Sequence, residues 1–100
     1  APPAEERSMT DLDTTTATFA LHGEVDVSNA GDIRNAATRA VRAGHDVLVL
    51  DCERVTFMDS QGVNALVAAH VELEVVVRLP SPPVRRVLAI TGLDGVLHLA

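Results

Sequence analysis

The stretch Phe57–Gly62, FMDSQG, places a carboxylate, a hydroxyl and a glycine between an apolar run, VLVL, and an alanine- and valine-rich segment, VNALVAA. A serine at such a strand-to-helix turn can serve as a nucleophile or as a helix cap. The nucleophile elbow of hydrolases, G-x-S-x-G, needs a glycine two residues before the serine. Met58 stands there instead, and no histidine lies near Ser60 to act as its base. The structural alternative has Ser60 cap the following helix by accepting a backbone N–H bond, with Gly62 permitting close packing.

The other reactive side chains are scattered. Glu24 and Asp26 could pass for a paired-carboxylate acid/base couple, but alternate loop positions more often cap or face solvent. His22, His45, His70 and His98 are far apart and lack the close companions of a metal site. Cys52 closes an apolar run and reads as a small core hydrophobe. No glycine-rich phosphate loop occurs. Neither an enzyme nor a metal or cofactor protein is expected.

The elements that must hold these residues follow from composition and periodicity. One hundred residues suit one small domain. A 47% hydrophobic content with only two aromatics calls for a core of Val, Leu, Ile and Ala. A net charge of −6, with Arg but no Lys and only Arg85 and Arg86 adjoining, argues against nucleic acid. No apolar run is long enough to span a membrane. The opening APPAEERSMT lacks the blocks of a signal peptide and reads as a flexible tail over residues 1–10, with the domain over 11–100. A lone cysteine makes the cytoplasm the expected address.

A strand is expected over Thr14–His22, where Phe19 and Leu21 alternate with polar or small neighbours, with a further strand around Met9–Asp13. GEVDVSNAG then reads as a loop, with Ser28 or Asn29 as N-cap and Asp32 in the first turn. Ala30, Ile33, Ala37, Ala40 and Val41 recur at helical spacing up to Gly44. DVLVLDC predicts a strand covered on both faces. A second helix carries Val63, Leu66 and Val67, and LEVVVRL predicts a third strand with Leu73, Val75, Val77 and Leu79 on one side. In SPPVRRVLAITG, Ser81 caps a helix, Pro82 opens it, Val84, Val87, Leu88 and Thr91 form its stripe, and Gly92 ends it. VLHLA closes the chain as a strand. Alternating strands and helices require a sheet covered by helices. One junction lacks the residues it needs: VNALVAAH meets VELEVVV without a turn residue, which predicts a segment lost between about Ala69 and Glu72.

Three blocks resemble the STAS domain of bacterial anti-sigma factor antagonists. LHGEVDVSNA resembles that family's G-E-[LIV]-D loop, VLVLDCERVTFMDSQGV its F-[ML]-D-S-x-G core, and SPPVRRVLAITGLDGVLHL its third helix and T-G-L closing segment. They cover most of Leu21–Leu99 in order. The resemblance implies an α/β domain, a four- to five-stranded mixed sheet with helices largely on one side. It implies a partner, an anti-sigma factor that is also a serine kinase, which the domain binds so that the sigma factor is freed. It places the phosphorylated serine at Ser60, with a serine phosphatase to reverse the mark. Glu24, Asp26, Asp59, Ser60, Gln61, Gly62 and Asn64 become the partner-binding residues. Gln61 departs from the small residue that often follows the serine, and the second helix looks short and lacks a glycine-bearing exit. The other reading within the resemblance is a scaffold module of a stressosome-type assembly or the cytoplasmic domain of an anion transporter.

Overall fold

The computed structural model describes residues 15–100. The tail expected over 1–10 and the strand expected around Met9–Asp13 lie outside them. Four strands and three helices alternate: β1 (Thr16–Val25), α1 (Gly31–Arg42), β2 (Val47–Met58), α2 (Ser60–Glu72), β3 (Glu74–Arg78), α3 (Pro82–Thr91), a 3₁₀ turn at Leu93–Gly95, and β4 (His98–Leu99). The strands lie side by side in chain order, β1-β2-β3-β4, and every pairing among them is parallel. Any antiparallel member of a mixed sheet would have to come from outside the described residues. Right-handed crossovers between successive neighbours place all three helices on the same face.

That one-sided packing corrects the reading of β2. Leu48, Leu50 and Cys52 are fully buried beneath the helices, whereas Val47, Val49 and Asp51 on the other face are only half-buried. β3 repeats the pattern with Val75 and Val77 inward. Leu79 has left the strand, is exposed, and adopts a positive φ of 49° that side chains with a Cβ rarely take. The core is aliphatic, as the composition requires: Ile33, Leu66, Val84 and Leu88 are buried against the sheet residues.

β2 is longer than its apolar run suggested because it carries two irregularities against β1. From Ala20 to His22 β1 advances two residues while β2 advances three, from Asp51 to Arg54; from Gly23 to Glu24 the advance is one against two. Each extra residue is a bulge in β2 that bends it and re-phases its faces. Beyond Leu50, burial therefore falls on every third residue, Cys52, Val55 and Met58, which no alternation rule would find.

The helix ends are set by different devices from those expected. α1 has Ala30 as N-cap, without a side-chain bond, because the turn before it is already closed by Asp26. It ends as expected at Gly44, where Gly44 N–H donates to the Val41 carbonyl and His45 N–H to that of Ala40, the paired bonds of a Schellman motif. Its buried face includes Ala36, while Val41 is exposed. In α2, Ala65 and Ala69 are buried and Val67 is not. Val71 and Glu72 continue that helix, so it is longer than expected, and the chain enters β3 through the extended Leu73 alone. In α3, Ser81 stands at the N-cap position but its hydroxyl is buried without a partner among the described residues. Pro82 and Pro83, the first two helical residues, have no N–H to offer it. Thr91 is exposed and turns its hydroxyl back to the carbonyls of Val87 and Leu88.

Candidate functional site

Asp59, not Ser60, caps α2. Its backbone is extended (φ −101°, ψ −171°), and one carboxylate oxygen accepts from Gln61 N at 2.9 Å and Gly62 N at 3.3 Å. Its carbonyl accepts from Val63 N at 3.1 Å. Three amides of the first turn are thus satisfied by one residue. Ser60 is the first helical residue, exposed, and its hydroxyl makes no hydrogen bond among the described residues. It is held by its backbone and free at its oxygen.

Gly62 explains how closely this turn sits on the sheet. A Cβ on Gly62 would fall 2.6 Å from Met58 Cγ and 3.0 Å from Val25 Cγ1. Real Cβ atoms essentially never come as close as the first of these and seldom as close as the second, so glycine lets α2 start directly over the ends of β1 and β2. The expectation that Gly62 serves close packing holds here in specific atoms.

The parallel pairing brings the Glu24–Asp26 segment to the same place. Glu24 lies opposite Phe57 and Val25 opposite Met58, and Asp59 N–H donates to the Val25 carbonyl at 3.1 Å. Glu24 belongs to β1, not to a loop, with its side chain exposed. Asp26 begins the turn to α1. Its carboxylate accepts from Ser28 N at 2.9 Å and Ser28 Oγ at 2.6 Å, and these two bonds, hydroxyl first, hold its carboxyl below the ordinary carboxylate range. A carboxylate tied down in this way shapes a turn and stays charged; it does not suit proton exchange with Glu24.

Asn29 is the residue whose role the sequence hid. Its side-chain amide donates to the Glu24 carbonyl at 2.7 Å, and its side-chain oxygen accepts from Asp26 N at 2.9 Å. It clamps the β1 exit from both sides. The signal is an asparagine three residues after an aspartate, a turn-forming pattern, which by sequence alone is indistinguishable from a helix cap. Asn64 lies one turn after Ser60 on the same helical face and is exposed. Glu24, Asp26, Asp59, Ser60, Gln61 and Asn64 therefore share the carboxyl end of the sheet, and Gly62 lies buried beneath.

Elsewhere the chemistry is quiet. Burial, and secondarily the Asp51 carboxylate, push the Cys52 thiol up to about 12. No cluster of three metal-ligating side chains occurs among the described residues, and no helix among them is long and apolar enough to cross a membrane.

Comparison with known proteins agrees with this architecture. Residues 8–100 match the STAS domain family. The structure of the anti-sigma factor antagonist SpoIIAA in its unphosphorylated form superposes with a TM-score of 0.73 at 30% identity, covering 85% of this chain and 79% of that one. An anti-sigma factor antagonist from Mycobacterium paratuberculosis superposes with a TM-score of 0.72, also at 30% identity, over 85% of this chain and 76% of that one. A Thermotoga maritima protein shares the fold at 19% identity, with a TM-score of 0.75 over 85% of this chain and 78% of that one.

Proposed function

The chain belongs to the STAS domain family, and on that footing we propose that it is an anti-sigma factor antagonist switched by phosphorylation of Ser60. Unphosphorylated, it binds an anti-sigma factor that is also a serine kinase, and the sigma factor is freed. It acts in the cytoplasm as a binding switch and catalyses no reaction of its own. A serine phosphatase restores the binding form.

The observation that carries the reading is the free, exposed Ser60 hydroxyl on the first residue of a helix capped by Asp59. A kinase can reach that oxygen; it attacks the γ-phosphorus of ATP, loses its proton, and ADP departs. The product adds about −1.5 to −2 charges. A phosphate at a helix N-terminus is ordinarily soothed by free amides and the helix dipole. Here the Gln61 and Gly62 amides are already bonded to Asp59. The new charge is therefore poorly absorbed by its own helix and projects outward, beside Asp59 and across from Glu24 and Asp26. A partner that covers Ser60 must then desolvate a dianion within an acidic corner, and the complex separates while the domain stays folded.

The test uses the anti-sigma kinase recovered by pull-down from the native cell and then purified. Neither Ser60→Ala nor Ser60→Asp accepts phosphate at this position. By calorimetric titration Ser60→Ala binds as the wild type does, and Ser60→Asp binds more weakly, since its added charge lies beside Asp59. Equal affinities for the two folded variants would sink the switch.

A further inference from the structure

On the solvent side of the helix layer a hollow of about 320 Å³ opens between α1 and α2. Its floor is apolar: Ala68 and the buried Ala69 of α2, with Val41 of α1, which is 41% exposed. The hollow exists because α2 presents only methyl groups here, where longer side chains would interdigitate with those of the neighbouring helix. Arg34, Thr38 and Arg42 line it from one stripe of α1, spaced four residues apart, and Glu72 lines it from the last turn of α2.

The polar groups around this floor are unevenly matched. Thr38 Oγ1 donates its hydrogen to the Arg34 carbonyl at 3.0 Å and so has none to give an occupant. Arg34 and Arg42 are exposed and make no ion pair among the described residues, although Glu72 lines the same hollow. Because α1 and α2 both return between parallel strands, they run in the same direction. Glu72 therefore stands toward Arg42, each in the last turn of its helix. Arg34, at the other end, faces no carboxylate among the lining residues. Arg34 (+1), Arg42 (+1) and Glu72 (−1) leave a charge of +1 around the hollow, in a chain whose net charge is −6.

We propose that this hollow binds a small amphipathic monocarboxylate, with its head group on the Arg34 guanidinium and its aliphatic body over Val41, Ala68 and Ala69. A guanidinium meets a carboxylate with two parallel N–H bonds. The single charge of a carboxylate balances the site, whereas a phosphate, with about −1.5 to −2 charges, would overshoot it beside Glu72. At about 30 Å³ for each water-sized group, the hollow takes on the order of ten non-hydrogen atoms. Arg34 and Arg42 lie about 12 Å apart along the helix, so an extended chain of that size spans the floor from end to end. Pockets for small molecules begin near about 300 Å³ and join apolar walls to a few placed polar groups. Ala68 is roughly 12 Å along α2 from Ser60, and the assignment does not depend on the reading of that serine.

Octanoate is the probe, titrated into the full chain and followed by backbone amide shifts. Saturable shifts at residues 38–42 and 68–72 are expected, with half-saturation at or below about 1 mM. Arg34→Gln weakens binding by about tenfold, Arg42→Gln weakens it less, and Ala68→Leu, which puts a side chain into the hollow, abolishes it. Arg85→Gln, on the exposed side of α3, leaves it unchanged. Melting curves establish that each variant is folded. Octanol, which has the body without the charge, and acetate, which has the charge without the body, each bind at least about tenfold more weakly than octanoate. No saturable shift, or the same affinity in wild type, Arg34→Gln and Ala68→Leu, overturns the site. Octanol binding as tightly as octanoate overturns the role of Arg34, and octyl phosphate binding more tightly than octanoate overturns the monocarboxylate as the class of ligand. Equal losses in Arg85→Gln and Arg34→Gln show attraction by net charge alone and overturn the site as well.

Discussion

Truncating Asp59 to alanine removes the acceptor for two amides in the first turn of α2, whereas truncating Ser60 removes an oxygen with no bond among the described residues. Asp59→Ala therefore loses about 0.5–2 kcal/mol of stability, while Ser60→Ala stays within about 0.5 kcal/mol of wild type. Urea unfolding of the two proteins checks the order, and a reversed order would return the cap to Ser60. The division of labour matters for the proposed regulation. A serine that capped its helix would have to surrender that bond when modified; this one has nothing to surrender. Sequence spacing located the pair but could not apportion their roles, because Ser and Asp are equally good caps and the choice depends on which residue adopts the extended conformation. Here the bond from Asp59 N–H to the Val25 carbonyl makes that choice, and it comes from a strand more than thirty residues away in the chain.

At the scale of elements, α2 and β2 meet through Gly62. Gly62→Ala drives a methyl into Met58 Cγ and Val25 Cγ1, and overpacking of this kind costs about 1–3 kcal/mol despite the better helix propensity of alanine. The start of α2 must then rise from the sheet. Thermal melting and amide shifts at residues 59–64 report both effects; unchanged stability would show that Met58 yields freely. β2 also carries Cys52, buried and with its thiol pushed up to about 12. It remains the neutral thiol at physiological pH, so labelling by a thiol reagent proceeds only at the rate of unfolding, and partner binding is the same under oxidising and reducing conditions. Rapid labelling of the native protein would contradict this. α1 and α3 were legible because their glycine stops are local signals. The bulges in β2 were not, since they depend on how two distant segments pair, and they carry the strand on from Cys52 to Met58.

Across the whole molecule, the alternation of strands and helices made the layered sheet legible, while the strand order and the open face emerge only from packing. The site was legible as two separate blocks, GEVD and MDSQG. Their meeting follows from parallel pairing, which brings the carboxyl ends of β1 and β2 to one edge, and the exposure of Phe57 and Ile90 cannot be read from their apolar character. The register also has a mechanical meaning. β3 pairs with β2 only through Asp51, so Cys52–Met58 is held by β1 on one side, with no strand on the other among the described residues. Ser60, the proposed switch, thus stands on a two-stranded cantilever projecting from a four-stranded base. Ribbons of two strands are the less stable part of a sheet. Backbone amides at 55–58 should exchange with deuterium before those at 48–50, and uniform protection along β2 would show that α3 stiffens the projection fully. A switch built on a compliant arm can be bent to fit a partner, or let go, while the rest of the domain keeps its shape.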